Sequence, residues 1–172
     1  KTNDGYILKN IPVAQLKKYQ GKSTRKTIKV KAENQLIEKS QIDLSKAVVD
    51  LDLKKMTAGK YTFALKNALG EELTFGIDNT TKELFVDRSK SGNTDFGNHF
   101  ATAVSKAPLN KVYSNVKMKL VIDKTSIEIF FNDGEKVLTE IFFPNEHFSE
   151  LYLSTDTKGS TLNIRGHQLN IK

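Results

Sequence analysis

The sequence predicts an all-β fold, an antiparallel two-sheet β-sandwich of the lectin or jelly-roll type. About ten short runs of alternating or apolar residues recur along the chain, and Gly, Asn and Asp turns separate them. Helical periodicity is nearly absent. Strands that follow one another without intervening helices favour an antiparallel sandwich over a parallel α/β sheet. Because 172 residues suit one domain, we expect residues 1–172 to form a single sandwich.

Turn residues separate the expected elements. The clearest turns are Ala58-Gly59, Leu69-Gly70, Asp78-Asn79, Asp133-Gly134 and Lys158-Gly159-Ser160. The predicted strands are residues 27–31, 47–53, 61–66, 72–77, 83–87, 117–123, 126–131, 136–143, 150–154 and 161–170. Residues 13–19 are predicted to form a turn or two of helix. Residues 90–113 are predicted to form a long loop, and loops of that length are often functional.

The hairpin around Asp133 has two possible registers. A two-residue turn at Asp133-Gly134 places the apolar residues of 127–131 on one face with Lys136 and Glu140. A three-residue loop at 132–134 instead groups Ile127, Ile129 and Phe131 with Val137, Thr139, Ile141 and Phe143. We predict the three-residue loop because it gives a clean apolar face. Glu128 then lies on the opposite face, where charged residues are mixed with aromatic ones.

Positive charge is concentrated in the first third of the chain. Residues 1–60 hold 14 basic and 6 acidic residues, and the remainder holds 13 and 14. Seven basic residues and no acid lie between Lys17 and Lys31, where Tyr19 is the one aromatic residue. A base-stacking platform is therefore missing. We expect a solvated strand face and no nucleic-acid partner, although nucleic-acid binding through this region remains a remote alternative.

Motifs for independent catalysis or metal binding are missing from the sequence. There is no cysteine, and His99, His147 and His167 are too far apart for a metal-ligand spacing, so we expect surface or loop histidines. No G-x-S-x-G elbow or phosphate-binding glycine loop is present. Asn79-Thr80-Thr81 is a glycosylation sequon. Carboxylates are plentiful, but most of them have a structural explanation, either in a turn or in a local ion pair such as Asp87–Arg88. We predict no metal and no cofactor.

Two segments carry a resemblance to a known family. Residues 84–93 read LFVDRSKSGN, and residues 120–135 read LVIDKTSIEIFFNDGE, followed by LTEIFFP at 138–144. They resemble the V-D-R-S-x-S-G loop and the D-x-S-S-V-E-V-F-x-N-D-G hairpin of the C-terminal β-sandwich of family 32 glycoside hydrolases, the levanases, exo-inulinases and invertases. Lys124 stands where that family often has Arg. The opening Asn10-Ile11-Pro12-Val13 is similar to the family's entry into this domain.

The resemblance implies a module whose catalytic machinery lies elsewhere. The family places its nucleophile, stabilising Asp and acid/base Glu in an N-terminal β-propeller, on the motifs W-x-N-D-P-N-G, R-D-P and E-C. This chain has no Trp, no Cys and no Arg-Asp-Pro, so no catalytic residue is carried over to any position. The expected function is a non-catalytic accessory sandwich that supports the propeller of a fructan-hydrolysing, levanase-like enzyme. The family's polymer-degrading members imply an extracellular or periplasmic location.

A fructan-binding module is the alternative function. A related carbohydrate-binding module resembles the same sandwich and holds the terminal fructose of levan or inulin. Sugar binding needs a few converging polar groups above an apolar surface. Arg88 can donate forked hydrogen bonds to neighbouring hydroxyls, and the carboxylates of Asp87 and Glu128 can accept them. These three residues form the predicted ligand site. The competing interpretation is structural, in which the same three residues hold a loop in place.

Overall fold

The computed structural model describes residue 6 and residues 8–39, 41–97 and 99–171, and within them twelve strands form two six-stranded antiparallel sheets. A short 3-10 helix, Ala14–Tyr19, precedes them. The strands are β1 (Gln20–Lys29), β2 (Asn34–Lys39), β3 (Ala47–Lys54), β4 (Lys60–Lys66), β5 (Glu72–Asp78), β6 (Glu83–Lys90), β7 (Ser105–Pro108), β8 (Asn115–Asp123), β9 (Ser126–Phe131), β10 (Lys136–Ile141), β11 (Glu150–Thr155) and β12 (Thr161–Leu169). The first sheet has the order β1-β12-β3-β8-β9-β10, and the second has the order β2-β11-β4-β5-β6-β7. The predicted all-β sandwich is confirmed.

The core lies between the inner faces of the two sheets. Alternate residues along each central strand point inward, as in β8, where Val116, Met118, Leu120 and Ile122 are buried. The largest fully buried aromatic side chains are Tyr61, Phe63, Phe75, Phe131 and Phe142. Burying each such side chain contributes about 1.5–3 kcal/mol, so this inner layer supplies most of the favourable free energy of folding.

Ten of the twelve strands overlap the predicted ones, and the predicted helical turn is confirmed as the 3-10 helix. β2 was not predicted because its sequence NQLIEK has two adjacent apolar residues and no alternation. Its position is determined by pairing with β11. β7 lies inside residues 90–113, so the prediction of one continuous loop there is wrong. Its four residues pair with β6, and Pro108 ends it.

The outer strands carry features that discourage pairing with another chain. β1 is an edge of the first sheet, and its basic residues are exposed, as at Lys22, Arg25, Lys26 and Lys29. Charged edges, very short edge strands and inward-pointing charges all oppose edge-to-edge association. β7 provides a short edge. β10, the other edge of the first sheet, provides an inward charge at Glu140.

The predicted register of the β9–β10 hairpin is wrong. Lys136 lies opposite Phe131, and Glu140 lies opposite Ile127, so Glu140 shares the inner face. Four residues, 132–135, connect the strands, and the amides of Gly134 and Glu135 both donate to the carbonyl oxygen of Phe131 at 2.9 Å. The register was predicted by requiring an entirely apolar inner face. That requirement does not hold here, because Arg88 of the second sheet neutralises the inward Glu140.

The N-terminal segment is attached to this hairpin. The amide of Asn10 donates to the carbonyl oxygen of Gly134 over 3.1 Å, and Lys9 lies 3.8 Å from a carboxylate oxygen of Glu135. Gly134 has a φ of 87°, and a Cβ atom there would lie 1.8 Å from the carbonyl oxygen of Asn10. A glycine is therefore required where the two segments meet.

Asn79 of the sequon is completely buried. Its amide nitrogen donates to the carbonyl oxygens of Thr57 at 3.1 Å and Tyr113 at 2.8 Å, and its side-chain oxygen accepts from the Tyr113 amide. This side chain holds loop backbone groups that would otherwise lack partners, so in the folded protein it is not a glycan acceptor. Within the described residues, no helix is long and apolar enough to cross a membrane.

Candidate functional site

Arg88 joins the two sheets at one edge of the sandwich. It lies near the end of β6, and its position alternates with that of the buried Val86, so its side chain turns inward. Its Nη1 donates to the carbonyl oxygen of Ile141 over 3.0 Å and lies 3.3 Å from Oε2 of Glu140. The side chains of Arg88 and Glu140 are 21% and 10% exposed. The pair is therefore largely removed from water, where leaving either charge unpaired is costly.

The guanidinium of Arg88 also stacks on an aromatic ring. Its Cζ lies 4.2 Å from the centre of the Phe100 ring. Such a cation–π contact contributes about 0.5–2 kcal/mol, more when water is excluded. Nε of Arg88 is buried and has no hydrogen-bond partner among the described residues. Arg88 therefore keeps one donor unused while ring stacking and the Glu140 carboxylate hold its position.

Phe96, Phe100 and Phe143, here called the aromatic rim, surround the outer side of Arg88. The Phe96 ring centre lies 4.5 Å from that of Phe100 and 5.0 Å from that of Phe143. Phe96 is 57% exposed and Phe143 is 36% exposed, while Phe100 is half-buried. Three contacting phenylalanines with this much exposed surface form an apolar patch, the feature that marks contact surfaces on soluble proteins.

The Ser91-Gly92 pair explains how the loop reaches this edge. The Ser91 side chain is buried and donates to the carbonyl oxygen of Arg88 over 2.8 Å. Gly92 has a φ of 114°, and a Cβ there would lie 2.3 Å from the carbonyl oxygen of Phe143. The next amide, that of Asn93, donates to the same oxygen over 2.8 Å. The V-D-R-S-x-S-G pattern therefore attaches the loop after β6 to the end of β10.

The three residues of the predicted ligand site point in different directions. Asp87 precedes Arg88 on β6 and lies on the opposite, outer face of the second sheet, where it accepts a hydrogen bond from the Ser89 amide over 2.9 Å. Glu128 is half-buried on the outer face of the first sheet, opposite Val121 and Thr139. The expected Asp87–Arg88 ion pair is replaced by the Arg88–Glu140 pair. The three side chains do not converge on one surface.

The histidines are distributed over the molecule. Among the described residues, no group of three or more His, Asp and Glu side chains is close enough to hold a metal ion. The expectation of surface or loop positions is wrong for His167, which is buried on β12. Burial and the neighbouring charge of Arg165 hold the pKa of His167 below its ordinary value, although Asp50 acts in the opposite direction. The imidazole is therefore neutral at pH 7.

Glu140 and the aromatic rim were missed by the sequence reasoning. Glu140 was placed on the outer face because the register was chosen for apolarity. Phe96 and Phe100 lie in an irregular loop, where no sequence periodicity indicates that the two side chains share a surface. The one available signal was the alternative two-residue turn, which places Glu140 on the apolar face, because inward charges are a known protection of sheet edges.

A family model described as the C-terminal domain of family 32 glycosyl hydrolases matches residues 14–169. The match covers most of the chain, which therefore belongs to this family as its C-terminal β-sandwich domain. A levanase of Bacillus subtilis (strain 168) is 31% identical over 153 residues, covering 87% of this chain and 22% of the levanase. An extracellular exo-inulinase of Aspergillus niger is 30% identical over 126 residues, covering 72% of this chain and 23% of the inulinase. The chain thus spans less than a quarter of these relatives.

Solved structures show the same fold. The exo-inulinase of Aspergillus awamori superposes with a TM-score of 0.78 at 24% identity, covering 98% of this chain and 33% of the inulinase. The sucrose-6-phosphate hydrolase of Lactobacillus gasseri superposes with a TM-score of 0.72 at 24% identity, covering 95% of this chain and 31% of that enzyme. In both comparisons the whole sandwich corresponds to about a third of a larger protein.

Proposed function

We propose that this chain is the non-catalytic accessory sandwich of a fructan-hydrolysing glycosidase and that it supports a catalytic β-propeller encoded upstream of it. The family match and relatives named levanase and exo-inulinase support this assignment. The chain's lack of the Trp, Cys and Arg-Asp-Pro motifs agrees with catalysis by another domain. Relatives named as extracellular favour secretion of the whole protein.

The aromatic rim carries the proposal that the sandwich docks against this propeller. Phe96 and Phe143 expose apolar surface at one edge, and the side chain of Arg88 beside them is 21% exposed. Interface cores are enriched in aromatic side chains and arginine. In the relatives, the matched segment is a minor part of a longer chain, so the catalytic domain of the same protein is the occupant we assign to this surface.

The first test is the stability of the full-length protein. Phe96→Ala should lower its melting temperature and shorten the half-life of fructan hydrolysis at elevated temperature, because truncating a central interface aromatic costs about 2 kcal/mol. Leu36→Ala is the matched control, because Leu36 is 42% exposed on β2, which forms the edge of the second sheet opposite to the β6–β7 edge that carries the rim loop. Equal effects of the two variants would contradict docking at the rim. The isolated chain should not hydrolyse levan, inulin or sucrose.

Fructan binding is the second candidate, favoured by the exposed rings beside the partly exposed side chain of Arg88. A partly exposed arginine next to an aromatic face suits a sugar, which offers hydroxyl oxygens and an apolar ring surface. Retention of the chain on levan in affinity electrophoresis, lost in Arg88→Ala, would support it. Glu128→Ala and Asp87→Ala test the other two predicted ligands. Absence of retention on both levan and inulin would refute this candidate.

A further inference from the structure

A cleft of about 570 Å³ lies between the N-terminal segment and the outer face of the first sheet, on the side of that sheet turned away from the core. The segment contributes an apolar wall, chiefly Ile11, Pro12 and Leu16. Phe130, which is 7% exposed on the outer face of β9, extends this apolar surface. The volume lies within the range of small-molecule sites, about 300–1,000 Å³.

The floor of the cleft carries a row of charged residues across four strands. Arg25 of β1 lies opposite Arg165 of β12, Arg165 lies opposite Asp50 of β3, and Asp50 lies opposite Lys119 of β8. The register therefore places two guanidinium groups side by side at the open end of the row. Like charges directly opposite each other on antiparallel strands destabilise the sheet.

The carboxylates that line the cleft already have lysine partners. Asp50 forms an ion pair with Lys119. Asp52 lies 3.2 Å from Nζ of Lys54, and Asp133 lies 3.9 Å from Nζ of Lys117.

Among the described residues, the other three cations of the cleft, Lys17, Arg25 and Arg165, form no ion pair within 4.0 Å. The lowered pKa of His167, caused by burial and then by Arg165, agrees with a positive potential beside the cleft. Within the described part of the chain, no carboxylate forms an ion pair with these two adjacent arginines, so both are available to an anion from solution.

We propose that this cleft binds a small molecule bearing an oxyanion, a phosphate or a carboxylate, between Arg25 and Arg165. Guanidinium groups bind both oxyanions through paired, charge-assisted N–H···O bonds, and two of them can hold one such group from both sides. The remainder of the ligand lies along the wall of Ile11, Pro12, Leu16 and Phe130. This site is separate from the Arg88 edge and does not depend on the proposed function.

The test is a binding titration of the purified chain at constant ionic strength, followed by amide chemical shifts of β1 and β12. The probes are inorganic phosphate, glycerol 3-phosphate, citrate and neutral fructose. The two phosphate probes and citrate distinguish a phosphate from a carboxylate ligand. Arg25→Ala and Arg165→Ala should each weaken binding of the preferred anion by about tenfold, because a hydrogen bond to a charged group contributes on the order of the free energy of a tenfold change.

Lys26→Ala is the matched control, because it removes one positive charge from the adjacent position of β1, which alternates to the other face of the strand. Its affinity should equal that of the unaltered chain. An equal loss in Lys26→Ala and Arg25→Ala would assign the binding to diffuse charge and overturn the proposal. Absence of any anion binding at about 10 mM would also overturn the proposal, as would fructose binding as strong as anion binding. Urea unfolding of Arg25→Ala should show no loss of stability, because the substitution relieves the repulsion from Arg165, and this result separates lost binding from lost folding.

Discussion

The inward pair of Arg88 and Glu140 allows a quantitative test of how the two sheets are joined. Replacing Glu140 by Leu leaves a guanidinium that is 21% exposed without its carboxylate, while the new side chain suits the inner face opposite Ile127. Breaking a fully buried pair costs 3–5 kcal/mol, and breaking an exposed one costs less than 1 kcal/mol. Because Arg88 keeps some exposure and its bond to the carbonyl oxygen of Ile141, we expect a cost of about 2 kcal/mol.

The double replacement separates the interaction from the side chains themselves. Arg88→Met combined with Glu140→Leu should recover most of the loss, because similar apolar groups replace a buried pair at little net cost. Urea unfolding followed by far-UV circular dichroism gives the four free energies of the cycle, with an expected coupling of about 1–2 kcal/mol. The control cycle uses Glu83 and Lys106, which lie 2.9 Å apart but are 33% and 55% exposed. A coupling no larger than in the control would refute the reasoning.

Three further predictions concern the N-terminal attachment, the buried histidine and an acid-sensitive loop. Gly134→Ala should destabilise the chain by about 2 kcal/mol in urea unfolding, because its positive φ is strained for alanine and the Cβ would meet the carbonyl oxygen of Asn10. Gly159→Ala, with a φ of 91° and open space, should cost less, and equal costs would contradict the close contact. Arg165→Ala should raise the pKa of His167, measured by an NMR pH titration, whereas an unchanged pKa would show that burial alone causes the shift. Burial raises the pKa of Glu71, but hydrogen bonds from two asparagines outweigh burial and hold the pKa below its ordinary value. The stability that this carboxylate contributes is therefore present above about pH 4.3 and is lost as the pH falls through its lowered pKa. Glu71→Gln should be less stable at pH 7 and lose less stability at pH 3 than the unaltered chain, and equal acid losses would contradict the assignment.

The local sequence was sufficient to predict a strand where polar and apolar residues alternate within it. β9 runs over Ser126–Phe131 as predicted, because polar and apolar residues alternate from Ser126 to Ile129. β2 was missed because Leu36 and Ile37 are adjacent, and only the partner strand β11 assigns one of them to the core. Propensity within six residues does not contain that information.

The candidate site was predicted in part for the same reason. Arg88 was selected from its motif, and the structure places it in an inter-sheet contact. Its neighbour Asp87 lies on the opposite face, because successive residues of a strand alternate. The partner of Arg88, Glu140, is 52 positions along the chain on another sheet, so its role depends on how the sheets pack. The register error had the same origin, because an apolar-face criterion does not include a distant arginine.

Hydrogen exchange provides the most direct test of the account that this sandwich supports a catalytic domain through its aromatic rim. Amide exchange is measured by mass spectrometry in the isolated chain and in the full-length protein. In the full-length protein we predict slower exchange at residues 93–97 and 141–143, which carry Phe96 and Phe143, and unchanged exchange around Leu36 of β2, at the opposite edge of the second sheet. Equal exchange at the rim in the two proteins would contradict docking at this surface.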